Sequence, residues 1–201
     1  MRQVRQTLIV LGVMLLAACS SPELEPLPPD GVILAFGDSL TEGVGAGPDG
    51  DYPTRLAELT GRTVINAGVS GQTLGEGLAR LPETLDRTRP DIMILLMGGN
   101  DILRNASPRE ARDNLEAMIT MARDRGVDVV LLGVPEKSLF SSAAPFYEEL
   151  AETHDLVFER GLVASLLRRP GYKADVVHLN DRGYAALAER VQELLEAHGA
   201  L

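Results

Sequence analysis

In the stretch GDSLTEG, Ser39 follows the apolar run VILAF with only Gly37 and Asp38 between. A strand that ends in small and polar residues either turns tightly or presents a group for chemistry. A serine hydroxyl becomes a useful nucleophile only with a base in hydrogen-bond reach and donors for the oxyanion its attack creates. The sequence holds three histidines, His154, His178 and His198. His154 closes a charged helical pattern and His198 ends the last one, and both read as solvated surface residues. His178 lies between ADVV and LNDRG, in a loop entering the last helix, and Asp175 stands just before it. In a loop, that spacing lets the carboxylate reach one imidazole nitrogen while the other faces a substrate.

Two other readings of the stretch compete. GAGPDG, residues 45–50, matches the letters of a dinucleotide-binding glycine loop. It begins well past the strand, contains Pro48 and does not open a helix, so no helix N-terminus would meet a pyrophosphate. The bland alternative is that Gly, Asp and Ser are turn formers. Similar polar, glycine-bearing segments close the other apolar runs: NAGVSGQT, MGGNDI and GVPEK.

The elements that must position these groups follow from periodicity. VILAF, TVINA, DIMILLMG and DVVLLGV read as strands covered on both faces. Between and after them, YPTRLAELTG, TLGEGLARLPETLDRT, PREARDNLEAMITMARDRG, APFYEELAETH and NDRGYAALAERVQELLEAHG read as helices, the third with Ser107 as N-cap and Gly126 as stop. Strands alternating with helices predict an α/β fold, a three-layer α/β/α sandwich with a central parallel sheet. Ligands in such folds bind beyond the carboxyl ends of the strands, where the polar segments collect.

The chain is divided as residues 1–18, 19–31 and 32–201 of the 201 present. MRQVRQ followed by TLIVLGVMLLAA has the basic and apolar regions of an export signal. LAAC, ending at Cys19, resembles a bacterial lipobox, which implies lipidation of Cys19, and Ser20 then resembles a sorting signal for the outer membrane. SSPELEPLPPDG reads as a proline-rich extended tether. Loss of Arg2 and Arg5 with the signal takes the 19 basic side chains to 17 against 29 acidic ones, a balance of −12. Such a surface repels nucleic acid, and no basic cluster interrupts it.

FGDSLTEG, NAGVSGQT, GGND and DVVH stand in the order and places of the four signature blocks of the SGNH (GDSL-type) hydrolases. The resemblance runs over residues 32 to 198 and is nearest to bacterial periplasmic arylesterases, acyl thioesterases and lysophospholipases. It implies a flavodoxin-like fold, Ser39 as nucleophile, His178 as general base and Asp175 as its orienting partner. It implies an oxyanion hole made of the Ser39 and Gly71 N–H groups and the Asn100 side-chain amide. It departs from the family at Gln72, Val177 and Leu179.

Asp38 and Asp101 read as loop ties that accept backbone N–H bonds, and Gly37, Gly98 and Gly99 as backbone clearance. Leu103, Leu139, Phe140 and Phe146 are candidate walls of an acyl pocket, although core packing explains each equally well. No cofactor or metal is implied; the expected partners are a small ester or lipid substrate and, through Cys19, a membrane, with the domain a monomer facing the periplasm. The expected activity is hydrolysis of carboxylic esters or thioesters through an acyl-serine. The alternatives are an envelope carbohydrate O-deacetylase or acyltransferase, and a binding lipoprotein without enzymatic activity.

Overall fold

Five parallel strands form one sheet in the order β2-β1-β3-β4-β5: β1 (Val32–Gly37), β2 (Thr63–Gly68), β3 (Ile92–Leu96), β4 (Asp128–Leu132) and β5 (Val157–Glu159). The computed structural model describes residues 22–137 and 142–201. The expected signal segment, Cys19 and Ser20 lie outside the described residues, as do Leu139 and Phe140.

The helices are α1 (Ser39–Glu42), α2 (Tyr52–Thr60), α3 (Leu74–Thr88), α4 (Gly99–Leu103), α5 (Pro108–Arg123), α6 (Pro145–His154), α7 (Leu162–Leu167) and α8 (Asp181–Ala197). The chain steps from β1 outward to β2, then back across β1 to β3. With right-handed crossovers, that reversal places α2 and α3 on opposite faces of the sheet. Accordingly α2 packs against α8, and α3 against α5. The expected three-layer sandwich is present, and its strand order reverses between β1 and β3. A crevice opens at the carboxyl ends there.

Local signals explain the long helices. Thr73 and Glu76 form a capping box at the start of α3. Ser107 caps α5, Asp51 caps α2 and Asn180 caps α8. β3 is buried along its whole length, as its unbroken apolar run requires. β2 differs from expectation: it is an edge strand and only partly covered. The other edge, β5, is too short at three residues to leave a pattern in the sequence.

The expected tether, where it is described from residue 22 on, lies on the domain rather than in solvent and ends in a turn closed by the Gly31 N–H on the Pro28 carbonyl at 2.8 Å. Leu24 and Leu27 are buried in the core. Their N–H groups donate to the carbonyls of His198 and Ala200, both at 2.9 Å, and the Glu25 N–H donates to Asp128 at 2.7 Å. His198 is therefore no solvated helix end: its Nδ1 lies 2.6 Å from the Pro22 carbonyl oxygen. His154 is also half-buried, with Nε2 3.6 Å from a Glu116 carboxylate oxygen.

Candidate active site

Ser39 is the first residue of α1, which leaves β1 through the Gly37–Asp38 turn. A Cβ at Gly37 would lie 2.1 Å from the Leu96 carbonyl oxygen, so only glycine lets β1 and β3 end side by side. At Gly98 a Cβ would meet the Tyr147 hydroxyl at 2.3 Å, whereas at Gly99 the nearest atom is 3.4 Å away. Clearance is thus needed at the first two positions and not at Gly99.

Asp38 caps α1 by accepting the Leu40 N–H at 3.1 Å and is almost fully buried. Burial pushes its carboxyl up to about 6, against the opposing pull of the Leu40, Gly99 and Gly98 N–H groups and of His178. Asp101, also buried, accepts the Leu74 N–H at 2.9 Å and ties α4 to the start of α3. Both carboxylates therefore hold backbone, as expected of loop ties.

His178 arrives from the far end of the chain on a loop closed by pairing of Lys173 with Leu179 and by the Ala174 N–H on the His178 carbonyl at 3.0 Å. Asp175 Oδ1 accepts the Val177 and His178 N–H groups, each at 2.8 Å. Its Oδ2 lies 2.8 Å from His178 Nδ1, and His178 Nε2 lies 3.1 Å from Ser39 Oγ. Partial desolvation of Asp175 opposes ionisation, but the His178 imidazole and the two N–H groups outweigh it and bring the carboxyl down to about 2. The glycine-rich loop after α1 abuts this histidine loop. Gly47 N–H donates to Asp181 at 2.7 Å, and the Tyr184 hydroxyl donates to the Val44 carbonyl at 2.8 Å. GAGPDG is thus a docking surface for the start of α8.

Gly71 and Asn100 converge on the same cavity as Ser39 and His178. Gly71 has φ +80, a left-handed conformation that disfavours other residues. Among the described residues, neither the Ser39 nor the Gly71 N–H donates to a protein acceptor. Asn100 Nδ2 spends one hydrogen on the Gln72 carbonyl at 2.9 Å, leaving the other available. The segment bearing Gly71 is held from several sides: Arg104 donates to the Gly71 carbonyl at 2.8 Å, and the Ser70 N–H donates to Glu42 at 2.5 Å.

The cavity encloses about 570 Å³ and is walled mainly by Leu40, Ile102, Leu103, Val134, Val163 and Leu167. Leu103 lines it. Phe146 does not: it is buried and stacks on Tyr147 with ring centroids 4.5 Å apart, which is core packing. Sequence reasoning missed Val163 and Leu167 because α7 spans only six residues, too few to show helical periodicity. Val176, on the loop between Asp175 and His178 and 68% exposed, also lines the cavity.

The chain matches the GDSL-like Lipase/Acylhydrolase family over residues 35–186. It is 31% identical to an arylesterase of Vibrio mimicus over 177 residues, covering 83% of this chain and 88% of that protein. It is 24% identical over 172 residues to an Escherichia coli protein named thioesterase 1/protease 1/lysophospholipase L1, covering 82% of this chain and 83% of the other. Among solved structures, it resembles AlinE4, an SGNH-hydrolase family esterase, with a TM-score of 0.66 and 32% identity over 85% of this chain and 97% of that one.

Proposed function

Since the chain belongs to the GDSL-like lipase/acylhydrolase family, we propose that it is a serine esterase whose nucleophile is Ser39, acting on carboxylic esters and thioesters of medium-length acyl groups. The observation that carries this is the unbroken line Asp175–His178–Ser39, at 2.8 and 3.1 Å, opening into a cavity with apolar walls.

The chemistry proceeds in two halves. Ser39 Oγ attacks the acyl carbonyl while His178 Nε2 takes its proton. Asp175 holds the imidazole by Nδ1 and stabilises the cation that forms. The carbonyl oxygen becomes an oxyanion facing the Ser39 and Gly71 N–H groups and the Asn100 amide, each such donor being worth about 3 kcal/mol to the transition state. The tetrahedral adduct then collapses with cleavage of its bond to the leaving oxygen or sulfur, and His178 gives the proton to that atom, which departs as alcohol or thiol. Water, activated by the same imidazole, attacks the acyl-serine; its proton passes to His178 and then to Ser39 Oγ as the acid leaves.

A cavity of about 570 Å³ with this lining offers far more apolar surface than an acetyl group can cover. At about 0.8 kcal/mol per buried methylene, longer acyl chains gain affinity until the cavity fills. A panel of p-nitrophenyl esters tests the reading: octanoate is expected to exceed acetate in kcat/KM, with no turnover by Ser39→Ala. Preference for acetate would favour a deacetylase, and turnover by Ser39→Ala would remove Ser39 from the chemistry.

Lipidation of Cys19 and a place at the outer membrane facing the periplasm belong to the same proposal, supported by LAAC and the apolar segment before it. Anchoring would hold the domain beside lysophospholipid-type substrates and raise their effective concentration. Cells fed a labelled fatty acid should mark the wild-type chain and not Cys19→Ser. Equal labelling of both, or of neither, would exclude the anchor.

A further inference from the structure

Arg80 projects from α3 towards the carboxyl end of the sheet. Its guanidinium lies 3.9 Å over the Phe36 ring. Nη2 donates to the Gly37 carbonyl at 3.0 Å and to the Ala67 carbonyl at 2.9 Å, and Nε donates to Gln72 Oε1 at 2.6 Å. One planar group therefore ties the end of β1, the end of β2 and the segment that carries Gly71. Gln72 passes the connection on, because its carbonyl accepts from Asn100 Nδ2 at 2.9 Å.

Each proposed oxyanion donor lies one short step from this guanidinium. Gly37 precedes Asp38 and Ser39 in the chain, Gln72 follows Gly71, and Asn100 bonds to Gln72 directly. The helix does not need Arg80 for adhesion: Leu74, Leu81 and Leu85 already bury its inner face. Holding a cation half out of water has a desolvation cost, and burial indeed lowers the Arg80 pKa from its ordinary value. An apolar side chain would pack there without that cost but would leave strand-end carbonyls and the Gln72 amide unmatched.

We propose that Arg80 is a positioning residue that sets the spacing of the oxyanion donors by clamping Gly37, Ala67 and Gln72 around one guanidinium. The inference rests on the acyl-transfer reading of Ser39, Gly71 and Asn100. It also gives Gln72 a role: the neutral amide accepts from Arg80 Nε and leaves no carboxylate beside the developing oxyanion. A lysine cannot replace the fork, since its ammonium lacks the fixed planar array of donors.

The test compares wild type, Arg80→Met, Arg80→Ala, Arg80→Lys and Gln72→Leu for ester turnover, thermal midpoint and affinity for an alkyl boronic acid. Such an acid forms a tetrahedral adduct on serine and places an oxygen where the oxyanion would sit. Misplaced donors should lower kcat about 10- to 100-fold in Arg80→Met. KM should stay within about two-fold, because ground-state contacts to the acyl chain are untouched. Boronate affinity should fall in proportion to kcat, Arg80→Lys should not restore it, and added guanidinium ion should recover part of the turnover of Arg80→Ala. Gln72→Leu leaves the strand clamps intact and should show a smaller loss of the same kind, which keeps the test open if Arg80→Met does not fold. Full kcat in folded Arg80→Met, or a loss explained by the unfolded fraction alone, overturns the proposal. If wild type itself ignored the boronic acid and Ser39→Ala still turned over ester, the fault would lie in the acyl-transfer reading instead.

Discussion

Asp38 shows how a single side chain beside the nucleophile serves the backbone rather than the reaction. It is buried, raised to about 6 and committed to N–H groups from two loops. Because its folded-state value lies above the unfolded 3.8, the stabilising contribution of the protonated form is complete below pH 3.8 and is lost as pH rises through about 6. A shift of that size corresponds to roughly 3 kcal/mol. Asp38→Asn keeps an acceptor for the Leu40 N–H and removes the charge, so thermal melts between pH 4 and 7 should show a flatter profile than wild type. An unchanged profile would mean that another group carries the dependence. At this scale the sequence was informative wherever a residue's chemistry is rare: the one histidine set in a loop between apolar and polar segments, with Asp175 ahead of it, stands beside the one serine in a GDS turn. Arg80 lies in GLARLP, a segment within the resemblance, but its role was not legible there, because a lone arginine on an amphipathic helix reads as a solvated face until the strand ends beneath it are seen.

At the scale of elements, alternation and caps made the sheet and the long helices legible. Ser107 caps α5 as expected, and Thr73 and Asn180 cap α3 and α8. What escaped was short or tertiary. β5, α4 and α7 are too brief to carry a period, and β2 has the composition of a covered strand yet lies at an edge. The proline-rich segment escaped for another reason: proline forbids helix and sheet pairing but not burial of the leucines between. Leu24 and Leu27 fasten residues 22–31 across the end of α8, where the chain terminus supplies carbonyls for their N–H groups. Replacing either leucine with alanine should cost about 2–3 kcal/mol in urea melts, at the low end for buried leucines because the site is peripheral. Ester turnover below the transition should be unaffected. If both variants melted like wild type, the segment would be a free spacer in solution.

Over the whole molecule, the parallel sheet brings together groups that the chain keeps far apart. Ser39 leaves the first strand, Gly71 and Asn100 follow the second and third, and His178 enters just before the last helix. The order β2-β1-β3-β4-β5 puts all of them around one crevice. This long-range convergence explains why the site was traceable through spaced polar blocks while the pocket walls were not: catalytic groups are chemically distinctive, but Ile102, Val134, Val163 and Leu167 are apolar residues indistinguishable from core until the fold assigns them a cavity.

The most direct test is the intact mass of the purified domain after exposure to an alkyl fluorophosphonate, followed by peptide mapping. A serine activated by His178 and Asp175 should take up one phosphonyl group per chain, on Ser39, with no adduct in Ser39→Ala and greatly slowed labelling in His178→Ala. An unmodified wild-type chain, or equal labelling of wild type and His178→Ala, would contradict the account.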